Sequence, residues 1–336
     1  MRDVFKNKSV LITGGTGSFG SKMMETLVKK FKPKKVIIFS RDELKQSQLQ
    51  EKFPKEKYKN LRYFIGDVRD LERLKTAFNK VDIVIHAAAL KQVTTAEYNP
   101  IEFIKTNITG SENVIKAALD SNVEKVIALS TDKAVNPLNL YGATKLVAEK
   151  LFISANNIFG DKRTRFALVR YGNVIGSRGS VVDVFKNIIK ENKTNYLPIT
   201  DKNMTRFWMK LEESINLVIE SIDLMRGGET FIPKLKSIRI LDLAKAMEKN
   251  KKIKFIGVRP GEKIDELLTT KSNDYLTIEF KNHYVVMPST LVNIDRKSFI
   301  KNKRGETGRQ VKKEFEYSSG TNKKFMTIKE ISNNLN

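Results

Sequence analysis

The 336-residue sequence has no cysteine and only two histidines, His86 and His283. Without thiols there are no disulfides and no thiolate metal sites, and two histidines are too few for an imidazole-based centre, so no metal is expected. Long apolar runs are missing too: none approaches the roughly 20 residues of a membrane span. The N-terminus leads directly into a strand with no signal-peptide pattern, which makes the cytoplasm the expected compartment. Acidic residues are under-represented, 38 against 62 lysines and arginines, leaving a formal net charge of +24. Such a charge invites a nucleic-acid reading. The lysines are scattered, however, through segments such as Lys29 to Lys35, Lys52 to Lys59 and Lys249 to Lys254. No basic stripe alternates with stacking aromatics, so a solvated lysine-rich surface that attracts anionic substrates is the better reading. Neither a nucleic acid nor a membrane is expected as partner.

The chain does contain enough apolar residues, 40%, for an ordinary core. Its first half alternates short β-branched runs with amphipathic helical stretches, the pattern of an α/β doubly wound parallel sheet. Strands are predicted at Ser9–Thr13, Lys35–Ser40, Leu61–Ile65, Asp82–Ala87, Lys125–Ser130 and Arg165–Tyr171. The intervening helices are predicted near Ser18–Lys30, Glu43–Lys52, Leu71–Phe78, Ile101–Ser121 and Tyr141–Asn157. Residues 1–171 are thus expected to form a dinucleotide-binding domain, with 209–232 returning to it. Residues 172–208 and 233–300 should form a smaller, interleaved α/β substrate domain. The polar tail, 301–336, is expected to pack on a neighbouring subunit or to be partly disordered.

The segment TGGTGSFG, Thr13 to Gly20, follows a predicted strand and opens a predicted helix. Gly14, Gly17 and Gly20 allow a tight turn and close approach to a pyrophosphate at the helix N-terminus, with Thr16, Ser18 and Phe19 between them. An NAD site usually places a carboxylate about 20 residues later, on the ribose hydroxyls. Here Ser40, Arg41 and Lys45 occupy that region, and a hydroxyl with cations suits a 2′-phosphate; NADP is favoured over NAD. NAD would compete if Asp42 pointed inward. Asp67 and Val68 fit an adenine-edge contact, and Ala87 and Ala88 give a small-residue wall for the nucleotide.

The run Ser130 to Ala134 (STDKA), followed by Tyr141 to Lys145 (YGATK), carries the chemistry. Tyr141 and Lys145 lie one helical turn apart on one face. In a nicotinamide enzyme the lysine lowers the phenol's pKa, and the phenolate takes a proton from a substrate hydroxyl as hydride leaves. Asp132 and Lys133, beside Thr131, exceed what a simple alcohol oxidation needs and point to a second chemical step.

These segments together resemble the extended short-chain dehydrogenase/reductases, and within them the inverting UDP-N-acetylglucosamine 4,6-dehydratases that start pseudaminic acid synthesis for flagellin and surface glycans. The likeness runs almost end to end, through SRDELKQS (Ser40 to Ser47), FIGDVRD (Phe64 to Asp70), HAAALK (His86 to Lys91) and NLYGATK (Asn139 to Lys145). It continues through RYGNVIGSRGSV (Arg170 to Val181), MTRFW (Met204 to Trp208), RPGEK (Arg259 to Lys263) and FEYSS (Phe315 to Ser319). Gln92, Thr94, Asp183, Asp265 and Phe325 depart from the family pattern.

The resemblance implies that Lys133 is the C5 base and Asp132 the acid for the departing C6 hydroxyl. As a base, Lys133 needs a depressed pKa, with desolvation and the Lys145 charge as the expected causes. The resemblance further implies a substrate or nicotinamide contact for Thr131 and a place for Lys91 near cofactor phosphate and sugar. Asn173, Ser177, Arg178 and Gly179 would line the substrate loop. Arg206 and Arg259 are candidates for the UDP phosphates, and Glu262 for the uridine ribose. The family also implies a homo-oligomer, a hexamer. A nucleotide-sugar 4-epimerase shares the Tyr–Lys pair but needs neither a C5 base nor a C6 acid. A non-catalytic NADP-binding protein would need no Tyr–Lys pair.

Overall fold

The computed structural model describes residues 3–158, 163–176, 179–289 and 296–335. Strands and helices alternate through the first half: β1 (Ser9–Thr13), α1 (Ser18–Thr26), β2 (Lys35–Ser40), α2 (Glu43–Lys52), β3 (Leu61–Ile65), α3 (Leu71–Phe78), β4 (Ile83–His86), α4 (Val93–Tyr98), α5 (Pro100–Phe103), α6 (Gly110–Asp120), β5 (Lys125–Thr131), α7 (Leu140–Ile158) and β6 (Arg165–Tyr171). The second half is less regular. It contains β7 (Asn173–Val174), α8 (Val181–Glu191), β8 (Tyr196–Ile199), β9 (Thr205–Met209), α9 (Leu211–Leu224), β10 (Thr230–Pro233), β11 (Lys236–Arg239), α10 (Ile240–Met247) and β12 (Lys252–Phe255). The chain closes with β13 (Leu267–Thr269), β14 (Thr277–Glu279), β15 (His283–Val286), β16 (Arg309–Gln310), β17 (Tyr317–Ser318) and α11 (Ile328–Leu335).

Strands β3, β2, β1, β4, β5, β6 and β10 lie side by side in parallel, the doubly wound α/β architecture predicted above. Every residue of β1 and β4 is buried, because helices cover both faces of the sheet. One face packs Ile12, Met23 and Phe207; the other packs Leu11, Phe39 and Phe152. The winding direction reverses between β1 and β4. Ligands of such sheets bind in the crevice beyond the carboxyl ends of the strands at that point.

One predicted helix breaks into three pieces. Instead of a single run over Ile101–Ser121, α5 and α6 are joined by a wider π-type turn, Ile104–Thr109. Asn107 sits in that turn, and its side chain both donates to and accepts from the backbone of Leu90, each at 2.9 Å. This side chain fastens the loop after β4 to the helix layer, which the apolar periodicity does not encode.

The smaller unit packs α8 and α10 around Phe185, Leu197, Trp208 and Leu243. Helix α8 starts where the Ser180 hydroxyl accepts from the Asp183 amide and stops at Asn192 in the left-handed region, φ 49°. One boundary differs from the expectation. β14 and β15 belong to the main sheet, added antiparallel beyond β10, so residues 233–300 are not one covering unit. The tail packs on its own chain: β16 extends the main sheet, β17 pairs with β13, and Met326 and Ile331 enter the core of the smaller unit. These few buried residues, spaced among polar ones, give no amphipathic period to read.

Candidate active site

At the carboxyl end of β1, Gly14 adopts φ +64°, and a Cβ there would stand 2.8 Å from the Ala88 nitrogen. A side chain on Gly20 would meet the Gly14 carbonyl at 2.5 Å, so α1 presses directly against the turn. Gly17 caps α1 with no side-chain hydrogen bond, leaving the first-turn amides to an anion. A dinucleotide fits this cradle. At the end of β2, Ser40 bonds Thr16 between hydroxyl oxygens at 2.9 Å. Asp42 caps α2, accepting from the Lys45 amide at 2.9 Å and pairing with the Lys45 amine, so it is turned to the helix rather than inward. Arg41 reaches Asp67 at 3.4 Å. Burial would raise the Asp67 carboxyl, but hydrogen bonds from Arg69 and the charges of Arg41 and Arg69 hold it below its usual range. Val68 is buried under Gly110.

The chemical groups come from the end of β5 and the start of α7. The Thr131 hydroxyl donates to Asp132 Oδ1 at 2.9 Å. Lys133 Nζ lies 3.1 Å from Asp132 Oδ1 and 3.1 Å from Glu266 Oε1. Both carboxylates are buried, at 0% and 2% side-chain exposure. Burial alone would push the Lys133 amine down, but the two carboxylates outweigh it and hold the amine well above the lysine range. The expectation of a depressed Lys133 pKa is therefore overturned, because it had not counted two anions in contact. Burial lifts the Tyr141 phenol to about 12, while the Lys133 charge and the Thr131 hydroxyl pull it down. The Lys145 amine donates to the Leu129 carbonyl at 2.9 Å. Burial lowers that amine to about 8, with Glu149 opposing. Glu149 itself is held by Arg170 at 2.6 Å.

A cavity of about 670 Å³ joins these parts. Its lining includes Gly14, Gly17, Ser18, Phe19, Gly20 and Ala87 from the dinucleotide cradle, and Thr131, Asp132, Lys133, Tyr141 and Lys145 from β5 and α7. Lys91, Asn173, Gly179, Arg206, Arg259 and Glu262 also line it. Thr16, Ser40, Arg41, Lys45, Asp67, Val68 and Ala88 are not part of its lining. Ser177 and Arg178 lie outside the described residues. Arg206 is buried and donates through NH1 to the carbonyls of Thr205 and Ile264 at 2.7 and 2.9 Å. Its remaining nitrogens stand 3.9 Å from Glu262 and Glu266, so its partners here are carboxylates and carbonyls. Arg259 pairs with Glu262 at 2.8 Å and is largely exposed.

The chain matches the pattern of the family described as polysaccharide biosynthesis protein over residues 10–288. It is 51% identical over 333 residues to the inverting UDP-N-acetylglucosamine 4,6-dehydratase of Campylobacter jejuni subsp. jejuni serotype O:23/36 (strain 81-176), covering 99% of this chain and 98% of that protein. The chain belongs to this polysaccharide biosynthesis family. Another relative, the UDP-glucose 4-epimerase of Rickettsia bellii (strain OSU 85-389), is 44% identical over 84% of this chain and 83% of its own length. The X-ray structure of Pen from Bacillus thuringiensis superposes with a TM-score of 0.87 at 40% identity, over 99% of this chain and 98% of that one. The same fold is seen in the dTDP-glucose 4,6-dehydratase DesIV from Streptomyces venezuelae, with a TM-score of 0.67 at 19% identity over 76% of this chain and 86% of that one.

In this family member, sequence reasoning missed Glu266 and Tyr171, both on the cavity wall. Glu266 directly precedes the buried strand β13, and a carboxylate at the mouth of an apolar run was the available signal. Tyr171 ends β6; burial, with the Tyr141 charge adding to it, raises its phenol well above the usual range. Among the described residues no group of three or more His, Asp or Glu is placed to hold a metal. No described helix is long and apolar enough to cross a membrane.

Proposed function

We propose that this chain catalyses the 4,6-dehydration of UDP-N-acetylglucosamine with inversion at C5, using bound NADP, and so feeds surface-glycan synthesis. The observation that carries the reading is the single cavity that brings the dinucleotide cradle, Tyr141 and the Asp132–Lys133 pair together. A 51% identical dehydratase aligned over nearly its whole length supports the same reaction. A bound nicotinamide supplies the hydride acceptor and donor.

As its phenolate, Tyr141 takes the proton of the C4 hydroxyl; the Lys133 charge and the Thr131 hydroxyl, which pull its phenol down, favour that form. A ketone at C4 acidifies the C5 hydrogen. Lys133 Nζ and Asp132 Oδ1 are 3.1 Å apart and share one proton. Moving it from nitrogen to oxygen gives a neutral amine and a neutral acid at once, with no change in net charge. The amine then takes the C5 proton while the acid protonates the departing C6 hydroxyl as water. The ammonium and carboxylate are thereby restored, and the product is complete once C6 receives the hydride that C4 lost and C5 is protonated from the opposite face, which inverts that centre. Each such group contributes about a hundred- to ten-thousand-fold in rate.

NADP is supported by Ser40 at the end of β2, by Arg41 just after it and by the turning of Asp42 toward α2. Arg259 and Lys91, both on the cavity wall, are the cations proposed for the diphosphate, with Asn173 on a sugar or phosphate oxygen. A homo-oligomer belongs to the same proposal, supported by the exposed apolar side chains of Tyr98, Ile101 and Val147. The epimerase reading has the Rickettsia relative in its favour but leaves Asp132 and Lys133 without a task. Incubation with UDP-N-acetylglucosamine and NMR of the product separates the two. A new C6 methyl signal is expected; a galacto isomer with its C6 hydroxyl intact would overturn the dehydratase reading.

A further inference from the structure

Glu266 has no part in the reaction described above, yet it is among the most enclosed carboxylates bordering the cavity. Its Oε1 contacts Lys133 Nζ at the same 3.1 Å as Asp132 Oδ1, so the amine is gripped from two sides. The second oxygens of both carboxylates, Asp132 Oδ2 and Glu266 Oε2, are buried with no hydrogen-bond partner among the described residues. Burying an ionised carboxylate costs several kcal/mol unless it is paired, so two of them on one ammonium form an expensive arrangement. It is also built deliberately from the backbone outward. The Glu266 amide donates to the Ser319 hydroxyl at 2.8 Å, and the Ser319 amide donates to the Glu266 carbonyl at 2.8 Å. Ser319 in turn meets the Thr205 hydroxyl at 2.7 Å. Backbone and side chain of the C-terminal tail therefore fix Glu266 against the catalytic turn.

We infer that Glu266 is a positioning residue for the Lys133–Asp132 pair: its Oε1 aims the amine and keeps the pair's single shared proton from escaping to solvent. The inference rests on the dehydratase reading for its kinetic consequence. A pair that must exchange one proton internally works only while that proton is present. At high pH it is lost, and activity falls. The charges facing Lys133 set where this happens. Asp132 adjoins it on the same turn, Glu266 and Lys263 face it from the segment before β13, and Arg206 from β9. Lys91 faces it from the loop after β4 and Tyr141 from α7. Glu266 is the anion among them that comes from outside the catalytic turn. Without it, three cations are opposed by Asp132 alone.

The test uses the full-length holoenzyme with UDP-N-acetylglucosamine, as wild type, Glu266→Gln and Glu266→Asp. Glu266→Gln is expected to lower kcat by about 10- to 100-fold with KM little changed. The high-pH decline in kcat should begin at least about one unit lower than in wild type. Glu266→Asp, which keeps the charge but withdraws it, should lose kcat while its decline stays closer to the wild-type position. Loss of kcat in Glu266→Gln with the decline unmoved would reduce Glu266 to a structural part and overturn the inference, as would an unchanged kcat. A second readout needs no turnover. Competitive acylation of lysines against pH, read by mass spectrometry, should show Lys133 becoming reactive at lower pH in Glu266→Gln. Identical Lys133 profiles in the two proteins would sink the inference even if the wild-type product proves to be an epimer; a shifted profile with an epimer product would sink the dehydratase reading alone.

Discussion

The backbone carbonyl of Lys133 occupies the space a side chain on Gly142 would need: a Cβ there would lie 2.2 Å from that oxygen. The turn carrying the proposed base and the helix carrying the proposed phenol therefore touch through a missing side chain. The contact is reinforced at the start of α7, where Asn139 Oδ1 accepts from the Gly142 amide and Asn139 Nδ2 donates to the Gly261 carbonyl, each at 2.8 Å. One asparagine thus caps α7 and ties it to the RPGEK turn.

Gly142→Ala should push Lys133 away from Tyr141. The expected cost in stability is about 1–3 kcal/mol, as for other overpacked sites. Turnover should fall further than stability explains, by about 100-fold, because small misplacements of reacting groups are costly. Thermal melting and steady-state turnover on one preparation check both figures.

Lys133→Ala should abolish formation of the C6 methyl product while leaving dinucleotide binding intact, since the cradle at Gly14 to Gly20 is built by a different segment, the turn between β1 and α1. The expected loss is about 100- to 10,000-fold. Product NMR and a fluorescence titration with NADP measure the two properties separately. Near wild-type dehydration in this variant would place the base elsewhere.

Lys145 has a folded-state pKa of about 8 against 10.5 for a free lysine, chiefly through burial. The unfolded chain therefore binds more protons between these values, and stability contributed by this site rises as pH climbs from 8 to 10.5 and is lost as pH falls through the same window. Lys145→Met removes the dependence. The difference in unfolding free energy between wild type and variant should change by about 3 kcal/mol across that window. Chemical denaturation at several pH values tests it; parallel curves would show that Lys145 titrates normally.

Ser319→Ala strips the Glu266 amide of its acceptor in a buried position, which should cost about 1–3 kcal/mol. The change lies far along the chain from the catalytic turn, yet kcat should drop with it. Melting temperature and kcat, measured together, check the coupling of tail and site.

Arg41→Ala should weaken NADP about tenfold more than NAD, the value of one charge-assisted hydrogen bond. Titration of both dinucleotides gives the ratio directly. Equal weakening of the two would mean that Arg41 does not read the 2′-phosphate.

By itself the sequence settled the parallel strands, whose apolar runs from β1 to β6 declare burial on both faces, and the glycine turn, whose spacing admits few conformations. It also pointed to Tyr141, Lys145, Asp132 and Lys133 as neighbours, and the strand end and following helix do bring all four to one cavity wall. Local pattern could go no further. Glu266 reaches Lys133 across more than a hundred residues, and Ser319 reaches Glu266 from the tail, through contacts that leave no period in the chain. The charge state of Lys133 followed suit: a buried amine reads as depressed until the two carboxylates beside it are seen. Electrostatics depends on distance in space, and only the tertiary structure supplies that distance.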